Sequence, residues 1–388
     1  MIQSYPLHSL TNGSWFKLIC GASYQHLPAV RNLALAYSLA GADCIDVAAD
    51  AAVIAAAREG IRVAQKLPQL TELSTVRQNY DCQTSFQISQ PDPLTTDRPW
   101  LMVSINDGED PHFRKAQFDL TQCPIDCPAP CVRVCPADAI ELNTVGVIDE
   151  LCYGCGRCLP ICPEELITTH SFVSKPDEIA SLIKSLKIDA IEIHTQTGHY
   201  DNFERVWSAI YPEIGKLKLL AISCSDGQNV LDYLRSLYEL ISPLPCPLIW
   251  QTDGRSMSGD IGKGTTHAAI AFANKVLQAN LPGYIQLAGG TNDYTVEKLK
   301  QANMLRKYNP TSKIGFISGV AYGSYARGIL SPILARLETT ELQNIQPNLI
   351  KNQQMNQLHL KLEQDRDLLN QAVSTASGLV NQIKRATH

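Results

Sequence analysis

Cys152-Tyr-Gly-Cys155-Gly-Arg-Cys158-Leu-Pro-Ile-Cys162-Pro163 is the stretch on which the reading of this chain turns. Its spacing, C-x2-C-x2-C-x3-C-P, is that of the bacterial ferredoxin cluster-binding run. Three thiolates two residues apart let a tight loop wrap one iron–sulfur cubane, and Gly154 and Gly156 allow the backbone to come close. The fourth cysteine, three residues further on, points to a neighbouring cluster, and Pro163 ends the turn. Upstream, Cys123-x3-Cys127-x3-Cys131-x3-Cys135-Pro136 repeats the last step and the proline, with one extra residue in each of its first two steps.

Read as a swollen copy of the same run, the upstream half assigns Cys123, Cys127 and Cys131 to one cluster together with Cys162. Cys152, Cys155 and Cys158 then hold the other with Cys135, following the exchange of fourth ligands in two-cluster ferredoxins. Two [4Fe-4S] clusters are expected, and the altered spacing leaves a [3Fe-4S] form open at the first site. A pair of zinc sites is the weaker reading, because zinc usually takes separated ligand pairs, often with histidine, and no histidine falls inside the window. Ala139–Leu142 and Val147–Asp149 read as two short strands of a small ferredoxin-like unit, with Leu166–Thr169 as a closing strand.

Composition agrees with a globular iron–sulfur protein and excludes other classes. The chain has 388 residues, 45% hydrophobic and 18% charged, with a net charge of −5. No dense Lys/Arg run is present, so neither nucleic acid nor an anionic membrane is expected as the main partner. No window of about 18 residues is apolar throughout, so no transmembrane segment is expected. The N-terminus MIQSYPLHSLTNGSW lacks a secretory pattern, and a cytoplasmic protein with reduced thiols is expected. Of thirteen cysteines, the scattered Cys20, Cys44, Cys82, Cys224 and Cys246 read as small buried hydrophobes.

Around the window, short apolar runs alternate with helical patterns. The runs are Lys17–Cys20, Cys44–Ala48, Leu101–Ile105, Ala190–Ile193, Leu219–Ser223, Leu248–Gln251, Tyr284–Leu287 and Ile314–Ile317. Helical spacing follows in Leu27–Leu39, Asn202–Ile210, Val230–Leu240, His267–Leu277, Val296–Leu305 and Tyr325–Leu337. This alternation predicts an α/β fold with parallel strands, and eight strands close a (β/α)8-like barrel; an open doubly wound sheet is the alternative. The expected division is residues 1–110 as the first part of the barrel, 111–172 as the ferredoxin-like unit and 173–340 as the rest of the barrel. Residues 341–388 form a C-terminal helical tail. Its apolar positions, from Met355 to Ile383, suit either packing on the barrel or a partner-binding helix.

In a barrel, strand C-termini form the mouth where chemistry occurs. Asp46 and Asp50, His194 and Asp253 are the candidate catalytic residues there. Gly289-Gly290 and Ser318-Gly319, read as the ends of strands seven and eight, are candidates for a phosphate or flavin mononucleotide cradle, or else ordinary turns. The loop from Asp253 to Thr266 contributes Arg255 and Lys263 as anion-binding candidates. Residues Pro68–Pro99 read as an irregular excursion.

The strings FKLICGAS, GADCIDVAAD, IEIHTQTGH, QTDGRSMSGDIGKGTTHAAI and QLAGGTN, together with the inserted cysteine unit, resemble the light-dependent period family of cyanobacteria. The resemblance runs from about Phe16 to the end of the barrel region. It implies a redox role: the clusters register the state of the quinone or ferredoxin pool and pass it to circadian clock proteins. An iron–sulfur oxidoreductase, passing electrons to a flavin, quinone or small substrate at the mouth, is the alternative function.

Overall fold

In the computed structural model, which describes residues 5–75, 99–143, 145–173, 175–254, 264–306, 315–344 and 361–386, eight parallel strands close a barrel. They are β1 (Trp15–Gly21), β2 (Cys44–Ala48), β3 (Trp100–Asn106), β8 (Ala190–Thr195), β9 (Leu219–Ser225), β10 (Leu248–Asp253), β11 (Tyr284–Ala288) and β12 (Gly319–Tyr322). Their order around the barrel is β1-β12-β11-β10-β9-β8-β3-β2. Helices α2 (Leu27–Leu39), α3 (Ala51–Thr75), α6 (Tyr200–Ile210), α7 (Val230–Ile241), α8 (Thr266–Gln278), α9 (Thr295–Gln301) and α10 (Ser324–Asn344) return the chain from one strand to the next or cover the outside. Helices α1 (Tyr5–Asn12) and α5 (Pro176–Leu186) precede β1 and β8.

Alternation along each strand divides the residues between two environments. Outward-facing Phe16, Leu18, Ile45, Leu101, Val103, Ile191, Ile193, Leu220 and Ile222 join the helices in the main core. Inward-facing Trp15, Cys44, Met102, Ala190, Leu219, Ala221 and Ile249 form a separate apolar plug with Leu10 and Trp100 at the N-terminal end of the barrel. Above that plug the interior turns polar.

The eighth strand departs from the sequence expectation. Of the run Ile314–Ile317, Gly315, Phe316 and Ile317 lie outside the strand; β12 begins at Gly319, paired with Trp15 at the start of β1. The apolar run before it imitated a strand, while the strand itself is only four residues long. Ser318 and Gly319 therefore lie at the N-terminal end, opposite the mouth. A Cβ at Gly319 would come within 2.5 Å of the Trp15 carbonyl oxygen, so this glycine serves close strand packing.

After β3 the chain leaves the barrel. β4 (Arg114–Gln117) pairs antiparallel with β7 (Thr168–Ser171), and β5 (Ile140–Glu141) with β6 (Gly146–Val147). The short α4 (Pro130–Val134) carries Cys131. Buried Lys115 fastens this unit to the barrel: its ammonium donates to Gln25 Oε1 at 2.7 Å, to the Asp149 carbonyl at 2.7 Å and to the Asp149 carboxylate.

The tail ends in α11 (Arg366–Ala386), whose Leu368, Ala372, Ala376, Leu379, Val380 and Ile383 are buried in the main core. Of the two roles open to the tail, packing on the barrel is the one these residues occupy. Lys384 reaches Asp43 Oδ2 at 2.5 Å, and Arg31 makes two hydrogen bonds to the Glu363 carboxylate. Burial pushes Glu363 up, but the Arg31 hydrogen bonds bring it below the ordinary glutamate value. A depressed carboxyl contributes stability above its unfolded value of about 4.3 and loses it as pH falls through the folded value. Glu363→Gln is expected to cost about 1–2 kcal/mol at neutral pH. In urea titrations the difference should shrink as pH is taken below about 4.

Candidate iron–sulfur centres and the barrel mouth

The eight window cysteines separate into two groups. Beyond burial, the Cys123 thiol is pushed up by its neighbours Cys127, Cys131 and Cys162, and the Cys131 thiol by Cys127 and Cys162. Cys158 has Cys155, Cys152 and Cys135, and Cys155 has Cys135 and Cys152. Cys162 thus stands among the neighbours of the first group and Cys135 among those of the second. Among the described residues no three cysteine sulfurs lie mutually within 4.8 Å. Four thiolates on a tetrahedral zinc would be closer, about 3.8 Å apart for Zn–S bonds near 2.3 Å.

The second group surrounds a partly open cavity lined by Cys135, Cys152, Cys155 and Cys158 with Ala116, Ala139, Ile140 and Leu159. Backbone N–H groups already point at its sulfurs: Ala116 N donates to Cys152 Sγ at 3.4 Å and Ala139 N to Cys135 Sγ at 3.3 Å. Such bonds stabilise added negative charge on a cluster and raise its potential. Burial, reinforced by the neighbouring thiols, pushes Cys158 up to about 12. Cluster assembly must take that proton away. An apolar cavity, four convergent thiols and N–H···S donors are what an iron–sulfur cluster requires.

Gly154 adopts φ +70°, and a Cβ there would fall 1.9 Å from the Arg114 carbonyl oxygen. The second cluster loop therefore crosses β4 where only glycine fits. Gly154→Ala is expected to halve acid-labile sulfide, whereas Gly378→Ala in α11, whose Cβ position meets nothing within 4 Å, should leave it unchanged.

The two groups differ in setting. Around the first, Ile125, Val132 and Ile161 are exposed. Beside the second, Tyr153 enters the barrel core. Its ring meets Tyr24 edge-on at 5.8 Å, and the Arg327 guanidinium lies 4.1 Å from its centroid. Arg327 in turn donates to the carbonyls of Ile19 and Cys20 on β1.

Inside the barrel, above the apolar plug, Lys17 is fully buried between Asp46, at 3.3 Å, and Glu192. Ser104 donates to Asp46 at 2.8 Å, Gln251 donates to Glu192 Oε1 at 2.8 Å, and Ser223 donates to Asp253. His194 Nε2 meets Glu192 Oε1 at 3.0 Å. Burial pushes His194 down, but the Glu192 hydrogen bond and the Asp110 charge raise it to about 9. Burial raises Asp46, with the Lys17 ammonium opposing; Glu192 ends low because Lys17 and His194 outweigh its burial.

The structure thus brings Asp46, His194 and Asp253 together. Asp50 is a different case: its carboxylate accepts from Ala52 N at 2.8 Å and Val53 N at 3.0 Å, capping α3 instead of facing the mouth. The phosphate cradle fails for the same kind of reason. Gly289 and Gly290 lie at the mouth, but Ser318 and Gly319 lie at the far end, so the two pairs cannot hold one phosphate. Gly290 takes φ +90° with its Cβ position 2.6 Å from the Thr265 carbonyl oxygen, a packing requirement. Arg255 and Lys263 lie outside the described residues, as does most of the Pro68–Pro99 stretch.

Lys17, Glu192, Asp110 and His112 were missed. Lys17 and Glu192 carried a legible signal: each is a charge at an alternate position of an apolar strand, and Glu192 is two residues from His194 on the same inward face. Asp110 and His112 carried none, since nothing local says that the first turn of the insertion folds back over the barrel.

Two family descriptions match this chain. One, the Light dependent period A C-terminal domain, covers residues 182–382; the other, the LdpA Fe-S cluster-binding domain, covers residues 123–173 and so begins at the first window cysteine. The protein Light dependent period A of Synechococcus elongatus is 45% identical over 386 residues, spanning 100% of this chain and 96% of that relative. No helix among the described residues is long and apolar enough to cross a membrane. With an iron–sulfur-binding unit set into a closed parallel barrel and identity along its whole length, the chain belongs to the light dependent period A family.

Proposed function

We propose that this protein is a cytoplasmic redox sensor feeding the state of photosynthetic electron carriers into the circadian clock. Two [4Fe-4S] clusters, held by Cys123, Cys127, Cys131 and Cys162 and by Cys135, Cys152, Cys155 and Cys158, exchange electrons with a ferredoxin or quinone. The relative's name, which ties it to a light-dependent period, supports the clock part of this reading. The observation that carries the sensing part is Tyr153. It belongs to the Cys152–Cys155 loop, yet its ring is clamped by Arg327 of α10, whose other bonds run to β1.

In this arrangement the first group, flanked by the exposed Ile125, Val132 and Ile161, receives electrons from a partner, and a charge change at the second is felt directly by Arg327. Clock proteins then read the altered barrel surface. Hydrogen–deuterium exchange on anaerobic protein, oxidised and dithionite-reduced, tests it. A state-dependent difference in β1 and the first turns of α10 is expected, together with a difference in affinity for clock proteins. Arg327→Gln should abolish the difference while iron and sulfide stay at wild-type levels. Identical exchange in both states would remove the sensing role, and steady anaerobic turnover of a quinone would make the protein an oxidoreductase instead.

A further inference from the structure

The first turn of the insertion covers the barrel mouth and brings a second set of ligand atoms together, far from any cysteine in chemistry. Asp110 caps the 3-10 turn Pro111–Phe113, accepting from His112 N at 2.8 Å. That turn carries His112 back over β8, where its ring centroid is 5.0 Å from that of His194 and Phe113 closes the other side of His194 at 5.2 Å. Ser23 of the barrel holds the His112 carbonyl at 3.1 Å. One ligand atom each from Asp110, His112 and His194 lies within 4.8 Å of the others.

We propose that Asp110, His112 and His194 bind a divalent transition-metal ion at the barrel mouth, separate from the iron–sulfur clusters, with Glu192 orienting His194. Asp110 Oδ1 is 2.8 Å from His112 Nδ1 and 3.8 Å from His194 Nδ1. Both separations are ones that two atoms each about 2.1 Å from a single ion span. The second observation is the partner behind His194. His194 is 5% exposed, and its Nε2 is engaged by Glu192 at 3.0 Å, leaving Nδ1 turned toward Asp110 beyond hydrogen-bond reach. A carboxylate behind the far nitrogen of a histidine is the arrangement that orients imidazole ligands on metals. Glu192 is itself fixed, by Lys17 and by Gln251 at 2.8 Å, so it has no freedom to turn away.

Two imidazoles and one carboxylate select the borderline ions, zinc or ferrous iron, over magnesium and calcium, which prefer all-oxygen sites. Three protein ligands leave positions open to water or a small molecule. Asp253, held by Ser223, adds negative charge facing both histidines. The proposal does not depend on the sensing role and stands or falls by its own test.

Zinc is the probe. Full-length holoprotein is dialysed anaerobically against zinc, and zinc, iron and acid-labile sulfide are counted, with zinc K-edge absorption to identify the ligands. One zinc per chain is expected, in a nitrogen and oxygen shell near 2.0–2.1 Å with no sulfur near 2.3 Å. Asp110→Asn and His112→Ala should each lower zinc affinity at least tenfold, and Glu192→Gln about 10–100-fold, with sulfide unchanged. His112 lies on the covering turn, outside the barrel wall, so its variant keeps the test open if the interior variants fold poorly. In protein as isolated, zinc, or iron in excess of sulfide, identifies the resident ion. A chain that takes up no zinc, binds it through sulfur, or binds it as tightly in His112→Ala overturns the proposal.

Discussion

Cys162→Ala is expected to remove or convert the first cluster and leave the second intact, although Cys162 closes the second motif. The reason is spatial: Cys162 is among the neighbours of Cys123 and Cys131, and Cys135 is among those of Cys155 and Cys158. Cys123→Ala and Cys162→Ala should therefore leave the same residual paramagnetic spectrum, and Cys135→Ala and Cys158→Ala should both leave the other. Loss of the damaged cluster should lower iron and sulfide by about half, whereas its conversion to a three-iron cluster should remove about one iron and leave the sulfide unchanged. If Cys162→Ala instead matched Cys158→Ala, each motif would hold its own cluster and the crossed assignment would be wrong.

The second large effect concerns Lys17. Its side chain is 0% exposed and its partners Asp46 and Glu192 are 1% exposed. Removing the ammonium strands Asp46 and leaves Glu192 with His194 as its cationic partner, a change that costs about 3–5 kcal/mol when a buried pair is broken from one side. Lys17→Met should show that loss in urea unfolding followed by circular dichroism at pH 7.5. Without the cation, Asp46 binds its proton more tightly folded than unfolded, so the variant should recover stability as pH is lowered toward 5.5. Adding Glu192→Gln to Lys17→Met should restore part of the loss, because the remaining charge count then falls. A variant within about 1 kcal/mol of wild type at pH 7.5 would mean that the carboxyls already share a proton and that Lys17 contributes little.

These two centres show how unevenly function is written in the chain. The cysteine spacing states its chemistry locally, since the first two short steps of each motif form a loop that wraps one cluster and the last step carries a ligand to its neighbour. The barrel was legible for a related reason. Seven of its strands are apolar runs of five to seven residues, each buried on both faces and followed by a helical pattern. The eighth misled because Ile314–Ile317 is more strand-like than Gly319–Tyr322, and only pairing with Trp15 reveals the true register. Asp50 misled in turn, because a carboxylate one residue before a helix is as good a cap as it is a catalyst. The mouth cluster depends on residues 110, 112, 192 and 194 meeting across an insertion, and long-range folding of that kind has no signature in local spacing.

The same geometry gives the molecule a division of labour. One cysteine group is flanked by exposed Ile125 and Ile161, and the other is bolted through Tyr153 and Arg327 to β1 and α10. The covering turn Pro111–Phe113 belongs to the insertion and touches His194 inside the barrel. Cluster unit and barrel are thus joined at Tyr153 and His112 as well as through Lys115. Any signal from one to the other has short physical routes.

The most direct test of the central claim is electron paramagnetic resonance of anaerobically purified protein, as isolated and after dithionite, with iron and acid-labile sulfide counted on the same sample. Two reduced four-iron signals with about eight sulfides per chain are the predicted result. Sulfide near zero, with zinc in place of iron on the cysteines, would contradict it.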